Sequence, residues 1–185
     1  MRFVPAAGVG AALAGVAALA PTAAFAVDYL TAEQAGKLMF PDAERFEPHA
    51  LALDAAALQR LAQGGIKPRS AQWQPRAALH GTQVLGWVVV DEVIGKFERI
   101  TYAVGLNADG SVKQVEVLSY RESHGHEIRL PAWRKQFVGK TAAAPLQVGE
   151  DIANISGATL SCTHVTEGVK RIVAVMDLAR REHLL

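Results

Sequence analysis

Ile155-Ser156-Gly157-Ala158-Thr159-Leu160-Ser161 is the stretch of this 185-residue chain whose residue types and spacing are best suited to chemistry. It stands directly before a long run with apolar residues at helical spacing, so it reads as a helix start. The first N–H groups of a helix have no intrahelical partner and carry the positive end of the helix dipole, so an anion is stabilised there. Gly157 and Ala158 leave the backbone open to close approach, and hydroxyls on Ser156, Thr159 and Ser161 fall around the same spot. The segment is therefore a phosphate-site candidate. A plainer alternative stays open, because small and hydroxyl residues are also what an ordinary helix start uses as caps.

Other groups carry weaker signals. His124 and His126, with Glu122 and Glu127, share a polar loop and could donate to zinc or copper, but further ligands (His49, His80 or His164) would have to come from afar. The loop reads as a solvated one, and no metal is assigned. Cys162 and His164 are two residues apart on a helix and so point in different directions, which argues against a nucleophile–base pair; no catalytic residue is assigned. A single cysteine excludes internal disulfides and a Cys-only zinc site. Gly8-Val9-Gly10 follows no strand and lacks the third glycine of a dinucleotide fingerprint. Gly139-Lys140-Thr141 resembles the end of a P-loop, but Arg134 stands where the earlier glycine is needed.

The elements that must position the candidate segment are legible in outline. Thr31-Ala32-Glu33-Gln34 is a capping box, so a short helix is expected to about Phe40. Pro41 and Pro48 bracket an extended or turn segment, Asp54 caps a second helix through Ala62, and Gly64-Gly65 ends it. Residues 66–81, with Pro68, Pro75 and Gly81, read as a linker or irregular edge. Residues 83–93, rich in valine around Trp87, read as a buried strand. Residues 99–106 place Ile100, Tyr102, Val104 and Leu106 on one face, and residues 112–120 place Val115, Val117 and Ser119 against Glu116 and Leu118. The turn Asn107-Ala108-Asp109-Gly110 joins these two as a hairpin. A short helix is expected over 130–138, with Trp133 and Phe137, then a loop over 141–149 and a helix over 161–185. Val165, Val169, Ile172, Val173 and Met176 share one face of that last helix. Helices, then strands, then helices predict an α+β fold, an antiparallel sheet packed by helices with a C-terminal helix after the candidate segment. Trp73, Trp87 and Trp133 read as core residues, Trp133 being the one expected nearest the site.

Ser156-Gly157-Ala158-Thr159-Leu160-Ser161 resembles the flavinylation motif of the FMN-binding domain family, which includes the FMN-carrying subunits of sodium-translocating quinone reductase and Rnf complexes. Glu122-Ser123-His124-Gly125-His126-Glu127 resembles the family's E-T-P-G-x-G loop: Glu122 and Gly125 align, Ser123 replaces the threonine, His124 the proline and Glu127 the last glycine. Trp133, Phe137, Gly139 and Lys140 resemble its W…F.GK stretch, so that the likeness runs over roughly 86–179. The resemblance implies FMN attached to Thr159 by a phosphoester bond, made by a flavin transferase that uses FAD and magnesium and releases AMP. It implies a cofactor site of Ser156, Gly157, Ala158, Thr159, Leu160 and Ser161 with Glu122 and Ser123, the last two near the flavin ring or ribityl chain. The family usually has an acid three residues before the motif serine; here Ala153 stands there, so either Asp151, two residues further back, serves transferase recognition instead or that recognition is looser.

Composition divides the chain. Residues 1–26 hold one charge, Arg2; residues 6–20 are Ala, Gly, Val and Leu; Pro21 ends the run, and Ala24-Phe25-Ala26 is a small-x-small cleavage pattern. The segment reads as a secretory signal peptide cut after Ala26, with an uncleaved membrane anchor over residues 3–27 as the alternative. Beyond it 18 basic residues balance 18 acidic ones, which excludes a nucleic-acid surface. The organisation expected is a signal peptide over 1–26, an N-terminal helical or irregular segment over 27–81 and an FMN-binding domain over 82–185. The expected function is a periplasmic flavoprotein electron carrier between membrane or exported redox partners. The alternative is a non-catalytic exported binding or assembly module that holds FMN without a bond or not at all.

Overall fold

Period-two patterning over residues 83–120 builds the centre of a six-stranded antiparallel sheet in the computed structural model, which describes residues 27–185. The leader read over residues 1–26 lies outside the described residues. The elements are β1 (Val27–Asp28), α1 (Ala32–Met39), β2 (Arg45–Pro48), β3 (Leu51–Ala52), α2 (Ala55–Gln63), β4 (Gln72–Trp73), β5 (Arg76–His80), β6 (Gln83–Ile94), β7 (Arg99–Asn107), β8 (Val112–Tyr120), α3 (Pro131–Arg134) and α4 (Thr159–Arg181). The sheet runs β1-β8-β7-β6-β5-β2, and β3 pairs with β4 in a separate ribbon. The fold is α+β, as the order of elements predicts.

Alternation sends side chains to two different cores. Ile100, Tyr102, Val104 and Leu106 of β7 face α4 with Trp87, Val89 and Val93 of β6. Ala78, Val88, Ala103 and Leu118 face the other way, onto Ala35, Met39 and Phe40. The sheet is thus covered on one face by the long C-terminal helix and on the other by α1. At about 25 cal/mol per Å² of apolar area removed from water, these two layers are the main source of stability. Thr31 closes the capping box on α1 with Gln34, and the Asp54 carboxylate accepts from Ala57 N to start α2.

Three local readings change. Residues 76–80 form an interior strand, β5, rather than an irregular edge: Gly81 (φ +57°) makes the tight turn into β6, and β5 then pairs on both sides. The run is five residues long and begins directly after Pro75, so its pattern was too short to read. On β8 the pairing steps from Tyr102↔Val117 to Thr101↔Ser119, so Leu118 is an extra, bulged residue. The bulge puts Tyr120, not Ser119, into the α4-side core with Val115 and Val117. Residues 130–138 are one helical turn followed by a 3-10 turn at Lys135–Phe137. Among the described residues no helix is long and apolar enough to cross a membrane.

Candidate functional site

Helix α4 has 23 residues, begins at Thr159, and carries no side-chain cap on its N-terminus, where Ala158 is the N-cap residue. That removes the plainer reading of the segment, because Ser156, Thr159 and Ser161 do not cap the helix. The N–H groups of its first turn remain as donors beside a cleft of about 450 Å³, within the range of small-molecule sites. Lys96 and Phe97 line it from the β6–β7 turn, Glu122, Ser123 and His124 from the loop after β8, and residues 157–161 from the helix start.

The three hydroxyls do not converge. Thr159 is exposed on the cleft wall, and its Oγ1 accepts a hydrogen bond from Asn154 Nδ2 at 3.1 Å. Ser161 is buried, with its hydroxyl 3.3 Å from that of Tyr120, which itself donates to the His124 carbonyl. Burial raises the Tyr120 hydroxyl above its ordinary range. Ser156 is exposed but is not among the lining residues. Thr159 is therefore the one hydroxyl of the three that is both accessible and on the cleft.

Glu122 is buried at 6% exposure, and its Oε1 accepts from Phe97 N at 2.7 Å and Glu98 N at 3.0 Å. Burial pushes this carboxyl up, but the N–H groups of Glu98 and Phe97 outweigh it, so it stays below the ordinary glutamate value. Gly125 adopts φ +84°, and a side chain there would strike Ala158 and the Tyr120 hydroxyl. The glycine of the polar loop is thus required by the close approach of that loop to the helix start. Ser123 Oγ lies 3.0 Å from His124 Nδ1.

The segment leading to Thr159 is pinned by residues outside the cleft. Trp133 donates from its indole N–H to the Ala153 carbonyl at 2.8 Å, and Gln136 Oε1 accepts from Ala153 N at 2.8 Å. Trp133 lies in the α4-side core, edge-on to Phe137, and does not line the cleft. Asp151 does not line it either: its carboxylate holds Lys140 at 2.7 Å and accepts from Leu146 N and Gln147 N. Burial raises the Asp151 carboxyl, and the Gln147 N–H and the Lys140 ammonium bring it below its usual value. Cys162 is fully buried, and burial pushes its thiol up, which leaves it neutral beneath the helix start. Among the described residues no three His, Cys, Asp or Glu side chains gather as a metal site.

Lys96, Phe97 and Asn154 were not legible as site residues. Lys96 and Phe97 reach the site through a turn held by the distant Glu122, and Asn154 follows a residue pinned by Trp133 and Gln136, so spacing along the chain carries no signal for them.

An uncapped helix start, an accessible hydroxyl and a cleft edged by an aromatic ring suit a compound that carries a phosphate and a flat ring. Residues 95–174 match the family model of the FMN-binding domain. The crystal structure of NqrC from Shewanella oneidensis is similar in fold, with a TM-score of 0.55 and 17% identity, covering 80% of this chain and 88% of that one. No curated protein matches the chain.

The residues present fit FMN. Free N–H donors and the open space around Gly157 (φ +82°) suit a phosphate, while Phe97 and Leu160, with Lys96 beside them, suit an isoalloxazine ring.

Proposed function

We propose that this protein is an exported electron carrier that holds FMN through a phosphoester bond to Thr159. The observation that carries the reading is the pairing of an exposed Thr159 hydroxyl with an uncapped helix N-terminus on one cleft wall. In attachment, the Thr159 oxygen bonds to the FMN phosphorus of FAD, the pyrophosphate bond breaks, and AMP leaves with the threonine proton passing to solvent or to the transferase. The Asn154 amide donates to Thr159 Oγ1 and so orients it without blocking its proton. The α4 N–H groups would hold the phosphate of that bond, since the helix dipole favours negative charge there.

Bound FMN supplies the redox chemistry by taking up two electrons and releasing them one at a time; the protein supplies position and electrostatics. A covalent bond keeps the cofactor from diffusing away outside the cell. The leader supports export to the periplasm, and the membrane setting of sodium-translocating quinone reductase makes membrane redox proteins the partners of choice. The reading is tested by co-expression with a flavin transferase and intact mass measurement. The expected result is one FMN adduct, with mass consistent with cleavage after Ala26, absent from Thr159→Ala. An adduct that persists in Thr159→Ala would falsify the attachment, and flavin released wholly by acid precipitation would favour a non-covalent binding module.

A further inference from the structure

Phe97 is 74% exposed, an unusual state for a phenylalanine whose backbone is firmly held. Its N–H and that of Glu98 are both captured by the buried Glu122 carboxylate, and Gly95 N donates to Glu98 O at 2.8 Å to close the same turn. The carboxylate fits inside the turn only because residue 95 is glycine: a Cβ there would lie 2.5 Å from Glu122 Oε1. Lys96 Nζ stands 4.9 Å from the Phe97 ring centroid, over one face, which leaves the other face for a flat ligand ring. The ring and the Thr159 attachment point line the same cleft. An exposed aromatic side chain carried on a held backbone beside a ligand cleft is an apolar surface placed before its partner arrives, and such preorganisation lowers the ordering cost of binding.

We infer that Phe97 is the residue that stacks on the isoalloxazine ring, and that Glu122 is a positioning residue that fixes the β6–β7 turn carrying it. The inference rests on the FMN reading of the cleft. It changes the role that the sequence resemblance suggests for Glu122: its Oε1 is taken up by the turn, and it acts on the flavin through Phe97. Stacking shields one ring face from water.

The test replaces Phe97 with a ring that can donate an electron to photoexcited flavin. In flavinylated Phe97→Tyr, contact with the isoalloxazine should quench flavin fluorescence roughly fivefold relative to the wild type, with the FMN adduct unchanged by intact mass. Adding Glu122→Ala should restore most of the emission, whereas adding Glu122→Gln, which keeps an acceptor oxygen in the turn, should leave it quenched. Unchanged emission in Phe97→Tyr overturns the stacking role, and equal quenching in all three variants overturns the positioning role. If intact mass shows no adduct, the attachment reading fails by itself. Free FMN titrated into wild type and Phe97→Tyr then decides the stacking: stronger quenching in the variant supports it, and equal quenching or no binding overturns it.

Discussion

At the scale of the residue, one hydroxyl is set apart by its surroundings rather than by its type. Ser161 is turned inward onto Tyr120 and Ser156 lies off the cleft, while Thr159 stands exposed with Asn154 at its oxygen. Replacing Asn154 with alanine should slow FMN attachment roughly tenfold through lost orientation, measured as adduct formation against time with purified transferase. Thermal stability should not move, because Asn154 is exposed. Cys162, fully buried and with its thiol raised by burial, should resist alkylation in the native protein. Its labelling rate should follow urea unfolding, as the thiolate is the reactive form. Gly95→Ala should destabilise the fold by about 1–3 kcal/mol, because the added Cβ meets the Glu122 carboxylate and Ser161 rather than empty space. A urea midpoint equal to that of the wild type would show that the turn can move aside at no cost.

At the scale of the element, the site depends on how α4 is seated. Tyr102 donates to Asp91 at 2.9 Å, and Arg171 of α4 reaches the same carboxylate oxygen at 3.1 Å. Burial, with Asp91 beside it, pushes the Tyr102 hydroxyl far above its ordinary range, so it remains a neutral donor at every working pH. Gly168 makes room for this contact, since a Cβ there would run into the Tyr102 hydroxyl. Asp91→Ala leaves a buried hydroxyl and a guanidinium without their shared acceptor, and should cost about 2–3 kcal/mol in urea unfolding. The W…F.GK stretch acts on the other side of the helix start: Trp133 and Gln136 hold Ala153, and Lys140 holds Asp151. These residues carry no chemistry of their own, yet they fix the path of the chain into Thr159.

At the scale of the molecule, the sheet needs both of its helical layers. The face of β6, β7 and β8 formed by Val88, Ala103 and Leu118 is covered by Met39 and Phe40 from the N-terminal segment. β5 and β2, which also come from that segment, pair beyond β6. A chain cut to residues 82–185 would expose this apolar face and the long edge of β6, so it should aggregate on expression or bind hydrophobic dyes strongly. A soluble, cooperatively unfolding 82–185 would refute that dependence. Acid should loosen the whole molecule in a stated direction. Glu122 and Asp151 both have folded carboxyl pKa values below their ordinary values of 4.5 and 3.8. Their contribution is therefore fully present above those values and is lost as pH falls through the lower, folded ones. Urea midpoints should be flat from pH 7 to about pH 5 and decline below about pH 4.

The amino-acid sequence alone determined the α+β class, the long apolar face of α4, the central hairpin and the two segments that meet at the cleft. It could do so because these rest on local periods, turn residues and short contiguous motifs. Tertiary structure decided what contiguity does not encode. It decided that the Thr159 hydroxyl is exposed on the cleft while that of Ser161 is turned inward, because burial against Tyr120 is a contact across 41 residues. It decided that the bulge at Leu118 rotates Tyr120 into the core, because pairing with β7 sets the register of β8. It also decided that Glu122 faces the β6–β7 turn, because a carboxylate takes the N–H groups that the fold brings to it, and these lie some 25 residues away along the chain.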